Sequence, residues 1–263
     1  MPPTTPIVTP YARTVRGRGP GLLLAHGAGG GVAANYGPIL DTLAAGHTVV
    51  GVDYPGSGDT PRAGTPLALD DLANQLVAAA DAEGLDRFAL VGYSLGTAVA
   101  VRVASRHPER VTALVLTAPF ARPDAHLRLA AEQARDLHAR GEAMLLARHL
   151  LPLILSPRAL AALSAEELAE TLRTSAATSP PGSGDQMDLV TRVDVRADLP
   201  RIVAPTLVVS TTADRLVSPE LHRDVASAIP HAEVVEIPTG HLPFVESPVA
   251  WATAITGFLA TSA

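Results

Sequence analysis

Phe88-Ala89-Leu90-Val91-Gly92-Tyr93-Ser94-Leu95-Gly96 begins as a short apolar run and ends in the pattern G-x-S-x-G. The five-residue pattern alone is a weak signal. Its surroundings sharpen it. An apolar strand pattern over Arg87 to Val91 precedes it, and a helical pattern over Leu95 to Arg106 follows. A serine on a tight strand-to-helix turn stands clear of the backbone, and small residues beside it let strand and helix approach closely. The helix amino terminus then sets positive partial charge next to the hydroxyl. The segment therefore predicts a parallel strand, a sharp turn carrying a candidate nucleophile, and a crossover helix.

The same alternation runs outward in both directions. Strands are expected at Gly21 to Ala25, Thr48 to Val52, Val111 to Thr117, Thr206 to Ser210 and Glu233 to Ile237. Most are nearly continuous apolar runs, as strands covered on both faces should be. Helices are expected at Leu69 to Glu83, Pro219 to Ala228 and Pro248 to Ala260, the last two opened by Ser218-Pro219 and Ser247-Pro248. Thr4 to Arg18 is a candidate for one or two antiparallel edge strands. Between Ala121 and Arg196 the alternation stops and only helical periodicity remains, at Asp124 to Arg140, Glu142 to Leu155 and Ala165 to Ala177. Ser164 and Glu167 have capping-box spacing, and Thr178 to Gln186 (TSPPGSGDQ) reads as an exposed loop. The expected organisation is a core over 1–120, a helical lid over 121–196 and the rest of the core over 197–263.

Composition removes several chemistries. The 263 residues include no cysteine, and all 20 basic residues are arginine. A disulfide framework, thiolate metal site, thiol nucleophile, P-loop lysine or Schiff-base lysine is therefore impossible. A net charge of −6 and 3% aromatic residues argue against a nucleic-acid surface. No uninterrupted apolar run is long enough to span a membrane. The opening MPPTTPIVTP has no basic patch followed by an apolar stretch, so no signal peptide is expected. No histidine pair has helical metal-site spacing. The expectation is a cytoplasmic monomer or homodimer with a small-molecule substrate, no cofactor and no metal.

A serine hydroxyl needs a base to take its proton and an acid to orient that base. His241, in Thr239-Gly240-His241 just after the strand ending at Ile237, is the outstanding candidate base. The other histidines read as helix, loop or lid positions, with His222 among the surface ones. Asp214, four residues after the strand ending at Ser210, is the leading acid because it completes the order Ser…Asp…His. Asp124, after the strand ending at Thr117, is its rival. Acyl transfer also needs two fixed N–H donors for the developing oxyanion. The Leu95 amide is one candidate and Ala28, in His26-Gly27-Ala28-Gly29-Gly30-Gly31, is the other, with Gly29 as a substitute. His26 reads as a brace for this loop.

Five motifs in order carry a resemblance: His26-Gly27, Asp53-Tyr54-Pro55-Gly56-Ser57-Gly58, Gly92 to Gly96, Arg106 to Val111, and Gly240-His241 with Glu246-Ser247-Pro248. Together they resemble the α/β-hydrolase superfamily over most of the chain outside the helical insert. The resemblance implies a mostly parallel eight-stranded sheet flanked by helices, with the lid inserted after the sixth strand. It also implies Ser94 as nucleophile, Asp214 as acid and His241 as base. The expected activity is hydrolysis of an ester-type bond (carboxylic ester, thioester or lactone) in a largely apolar small molecule. The alternatives are a cyclase, acyltransferase, C–C hydrolase or lyase on the same scaffold, and a ligand-sensing protein without turnover.

Overall fold

The computed structural model describes residues 11–262. Seven strands, β1 (Arg13–Arg16), β2 (Gly21–Ala25), β3 (Thr48–Val52), β4 (Phe88–Tyr93), β5 (Val111–Thr117), β6 (Thr206–Thr211) and β7 (Glu233–Ile237), form one sheet in the order β1-β3-β2-β4-β5-β6-β7. Only β1 is antiparallel, pairing with β3. The sheet is thus mostly parallel, as expected, with seven strands among the described residues rather than eight. The stretch Thr4 to Pro10, part of the expected amino-terminal edge, lies outside those residues.

Eleven helices accompany it among the described residues: α1 (Val32–Ala44), α2 (Leu69–Ala82), α3 (Leu95–Arg106), α4 (Ala125–Ala139), α5 (Ala143–Ile154), α6 (Pro157–Ala162), α7 (Ala165–Ala177), α8 (Ser183–Arg192), α9 (Pro219–Ala228), α10 (Pro243–Glu246) and α11 (Pro248–Thr261). Strand side chains alternate between two faces, and each face has its own core. Leu22, Leu24, Val91 and Val209 pack with α1 and α11 around Trp251. Leu23, Leu90, Leu116 and Val208 pack with α2 and α3 on the other side. Across β2 to β6 both faces are covered, so continuous apolar strands are what the middle of this sheet requires, while the edge strands β1 and β7 are largely exposed.

Five helices, α4 to α8, fill the chain between β5 and β6. They follow the fifth of the described strands, where the resemblance implied the sixth. Ser164 and Glu167 form the anticipated reciprocal capping box at α7. Ser218 and Ser247 do stand at N-cap positions with proline next, but neither side chain makes a capping hydrogen bond. The end of the expected TSPPGSGDQ loop is also different. Ser183 begins α8, so Ser183 to Gln186 are helical rather than exposed loop.

Helix α1 had no sequence expectation. It contains Gly37 and Pro38 mid-helix, both exposed, where they break the apparent pattern without disturbing the buried stripe of Val32, Tyr36, Ile39 and Leu43. Its Tyr36 hydroxyl lies 2.9 Å from the Ala25 carbonyl and 3.1 Å from that of Val91, tying the ends of β2 and β4 together just below the Ser94 turn.

Candidate active site

Ser94 sits between β4 and α3 with φ of 53°, in the left-handed region that a residue bearing a Cβ rarely adopts. Such a conformation costs of order 1–3 kcal/mol and persists only where the surroundings enforce it. Two glycines show the enforcement. A Cβ on Gly96 would lie 2.0 Å from the Ala25 carbonyl oxygen, and one on Gly92 would lie 2.6 Å from the Gly96 carbonyl oxygen. Strand β2, strand β4 and helix α3 therefore meet with only hydrogens between them. The turn is squeezed, and the Ser94 side chain projects into the space above the sheet.

Two more strand ends bring the partners. His241 follows β7, and its Nε2 is 3.0 Å from Ser94 Oγ. Asp214 follows β6, and its Oδ2 is 2.7 Å from His241 Nδ1. A carboxylate only accepts, so the Nδ1 proton belongs to the imidazole and Nε2 is left as a bare lone pair facing the serine. Asp214 is fixed in turn. Its Oδ1 accepts the Leu216 and Val217 amides at 2.9 and 3.0 Å, and Oδ2 also accepts the Thr211 hydroxyl at 3.0 Å. The Tyr93 hydroxyl donates to the His241 carbonyl at 2.9 Å, anchoring the backbone of the imidazole-bearing loop. Burial, followed by the nearby Asp214 charge, holds the Tyr93 phenol well above its ordinary range, so this donor keeps its proton. Glu246 reaches across the same loop, accepting the Gly240 amide at 3.1 Å and the Ser156 amide at 2.9 Å.

The rival acid is elsewhere occupied. Asp124 is exposed and caps α4, its Oδ1 accepting the Leu127 amide at 2.8 Å. Of the candidate oxyanion donors, Leu95 provides the first amide of α3, and Ala28 borders the cavity beside Ser94. Among the described residues, neither amide donates to a protein acceptor. The substitute, Gly29, is not free, because its N–H donates to Gln186 Oε1 at 2.8 Å. His26 is fully buried and stacked on Tyr54 at 3.8 Å. It accepts the Tyr54 amide on Nε2 at 2.9 Å, and its Nδ1 lies 2.8 Å from the Gly27 carbonyl.

His222 corrects the sequence reading. It is 0% exposed rather than on the surface, with Nδ1 3.1 Å from Ser210 Oγ and Nε2 4.0 Å from Asp214 Oδ2. This second serine–histidine contact is sealed from solvent. Ser210 lies inside β6 and does not border the cavity, so no substrate carbonyl could reach it. Sequence gives no signal for this burial, since α9 is a short amphipathic helix and only its packing on β6 decides which face is inside.

Burial holds the imidazoles of both His26 and His222 down to about 4. The Gly27 carbonyl and Asp53 oppose the shift at His26, and Asp214 opposes it at His222. In the unfolded chain both return to near 6.5. Between those values the unfolded state binds more protons, so stability falls as pH drops from about 6.5 toward 4. The loss at completion is roughly 3 kcal/mol per imidazole. Thermal midpoints taken from pH 7 to 4 should decline steadily below pH 6.5, and His222→Leu should flatten that slope. A flat profile between pH 7 and 5 would contradict both assignments.

Ser94, His241 and Ala28 open onto a cavity of about 550 Å³ between the sheet end and the inserted helices. Leu127, Leu146, Leu151, Ile154 and Met187 give it predominantly apolar walls. Although both border it, Ser94 is 7% and His241 4% exposed, so both side chains are shielded from bulk water.

Comparison with known proteins agrees with this architecture. A family model described as "alpha/beta hydrolase fold" matches residues 20–248. The chain is 33% identical over 247 residues to pyrrolizixenacetamide deacetylase of Xenorhabdus hominickii, covering 93% of this chain and 92% of that protein. It is 31% identical to pimeloyl-[acyl-carrier protein] methyl ester esterase of Xanthomonas oryzae pv. oryzae, covering 88% and 91%. A solved structure of a thermophilic esterase from Thermogutta terrifontis superposes with a TM-score of 0.83 at 25% identity, covering 96% and 93%. A serine on a forced turn, an imidazole and carboxylate from neighbouring strand ends, and a family match over most of the length have one common explanation: the chain belongs to the α/β hydrolase fold family.

Proposed function

We propose that this protein is a serine hydrolase that cleaves an ester-type bond in a largely apolar small molecule through an acyl-enzyme. The observation that carries the reading is the unbroken chain Asp214–His241–Ser94 ending on the wall of an apolar cavity. Ser94 Oγ attacks the carbonyl carbon while His241 Nε2 takes its proton, and the carbonyl π pair moves onto oxygen. The Ala28 and Leu95 amides receive that oxyanion. Collapse of the intermediate expels the alkoxide, thiolate or ring oxygen, which takes the proton from the imidazolium. Water then attacks the acyl-enzyme with His241 again as base, releasing the acid and restoring Ser94. Asp214 keeps the imidazole in the required tautomer and balances its transient charge.

The largely apolar walls favour a hydrocarbon-rich acyl or alcohol group over a charged one, since desolvating a charge against them is costly. Relatives named as a deacetylase and a methyl ester esterase support a small acyl or alkyl portion at one side of the scissile bond. Exposure to a fluorophosphonate should add one equivalent of mass at Ser94. A panel of carboxylic esters, thioesters and lactones with matched charged analogues should then show preferential turnover of the uncharged members. Failure to label Ser94, or preference for charged substrates, would overturn the reading, and product analysis separates hydrolysis from acyl transfer.

A further inference from the structure

Gln186 lies on α8, among the inserted helices, yet it is 0% exposed and its side-chain hydrogen bonds among the described residues all reach into the core loops. Its Oε1 accepts the Gly29 amide at 2.8 Å, while Nε2 donates to Ser57 Oγ at 2.9 Å and to the Pro55 carbonyl at 3.2 Å. The amide cannot be turned over. Reversal would set its NH2 against the Gly29 N–H and its oxygen against the Pro55 carbonyl. The same loop is held from the core side by Asn35, whose Oδ1 accepts the Gly27 amide at 3.0 Å. The two N–H groups flanking Ala28 are thus both pinned, one from each layer of the molecule, and the Ala28 N–H between them is left without a protein acceptor among the described residues.

We propose that Gln186 is a positioning residue that sets the Ala28 amide as an oxyanion donor, so that the inserted helices contribute to the chemistry as well as to the cavity. The inference rests on the serine-hydrolase reading above. A preset donor gains its advantage because it needs no reorganisation when charge develops. Loss of one such donor typically costs about 10²–10³ in rate, and a loosened one should cost less. Attachment of α8 does not depend on Gln186 alone. The Gly182 amide donates to the Gly56 carbonyl at 3.0 Å, and Arg62 pairs with Asp185 through two bonds of 3.0 Å.

The test uses the full chain with its best ester from the panel. Gln186→Met preserves length and apolar volume but supplies no hydrogen bond. It should lower kcat about 10- to 100-fold with KM within about threefold. Affinity for a trifluoromethyl ketone, whose hemiketal oxygen occupies the oxyanion position, should fall by the same factor as kcat/KM. Gln186→Glu, whose buried carboxyl stays protonated and so both accepts and donates, should restore kcat to within a few-fold of wild type. Arg62→Ala, which removes only the neighbouring ion pair, should leave kcat within twofold. If Gln186→Met does not fold, Gln186→Ser carries the same expected split. A folded variant with lowered thermal midpoint but unchanged kcat and ketone affinity would overturn the proposal, as would loss confined to KM. Failure of the hydrolase reading itself is distinguishable, because Ser94 would then not label even in wild type.

Discussion

Ser94→Ala should reduce ester turnover by roughly 10⁴- to 10⁶-fold while leaving the protein folded. The size follows from what the hydroxyl does. Among the described residues it is the only oxygen within hydrogen-bond reach of His241 Nε2, so on the proposed mechanism its loss leaves that imidazole nothing to activate except water that happens to enter. Binding and oxyanion stabilisation survive, so a residual rate above background is expected. Alanine keeps a Cβ, so the forced φ at this turn is neither relieved nor worsened. The variant loses one buried hydrogen bond, worth about 1 kcal/mol, which a denaturant titration should register as a small shift. Ser210→Ala is the discriminating partner. Its hydroxyl also meets an imidazole, that of His222 at 3.1 Å, but inside the sheet and away from the cavity. Turnover should stay within several-fold of wild type. Wild-type activity in Ser94→Ala together with collapse in Ser210→Ala would move the nucleophile to β6.

Sequence reasoning read the sheet well because parallel strands buried on both faces announce themselves as apolar runs, and β2 to β6 do so, while the edge strand β7 (EVVEI) is largely exposed and shows only a short apolar pair between glutamates. The turn at Ser94 was legible for a similar reason. Its two glycines are demanded by backbone contacts below 3 Å from a hypothetical Cβ, so the motif is a direct print of the packing. What escaped notice depends on partners far away in the chain. Gln186 is 157 residues from Gly29 and 131 from Pro55, and it lies in a stretch whose prolines and glycines suggested only a loop. His222 looks like an ordinary surface position on α9, whose helical periodicity cannot say that β6 and Asp214 lie against that face. Helix α1 was missed because Gly37 and Pro38 break the local pattern, although tertiary burial of Tyr36 and Leu43 outweighs their helix cost. Strand identity is a local property here. Support of the candidate site is not.

That distinction also decides between the two candidate acids, which the sequence could rank only by order along the chain. Asp214→Asn should lower kcat by about 10⁴ at neutral pH, through the tautomer of a neighbouring ring rather than through any contact with substrate. The surroundings dictate how the new amide must sit. The Leu216 and Val217 amides both point at Oδ1, and only an oxygen can receive them, so the asparagine carbonyl takes that place. Its NH2 then occupies the Oδ2 position, facing His241 Nδ1, while the Thr211 hydroxyl can turn to accept its other hydrogen. Facing a donor, Nδ1 must become the acceptor, which moves the imidazole proton to Nε2. The nitrogen beside Ser94 would then present a hydrogen where it must take one, and the nucleophile could not be activated. Asp124→Ala makes the opposite change. It removes the α4 cap, a loss of about 1 kcal/mol in stability, and should leave kcat untouched because that side chain already serves the Leu127 amide. Steady-state kinetics and thermal midpoints on the two variants separate the outcomes: a kinetic collapse with little melting change for position 214, and a melting change with intact kinetics for position 124. The reverse pattern would transfer the orienting role to Asp124 and require His241 to swing away from the carboxylate that now holds it.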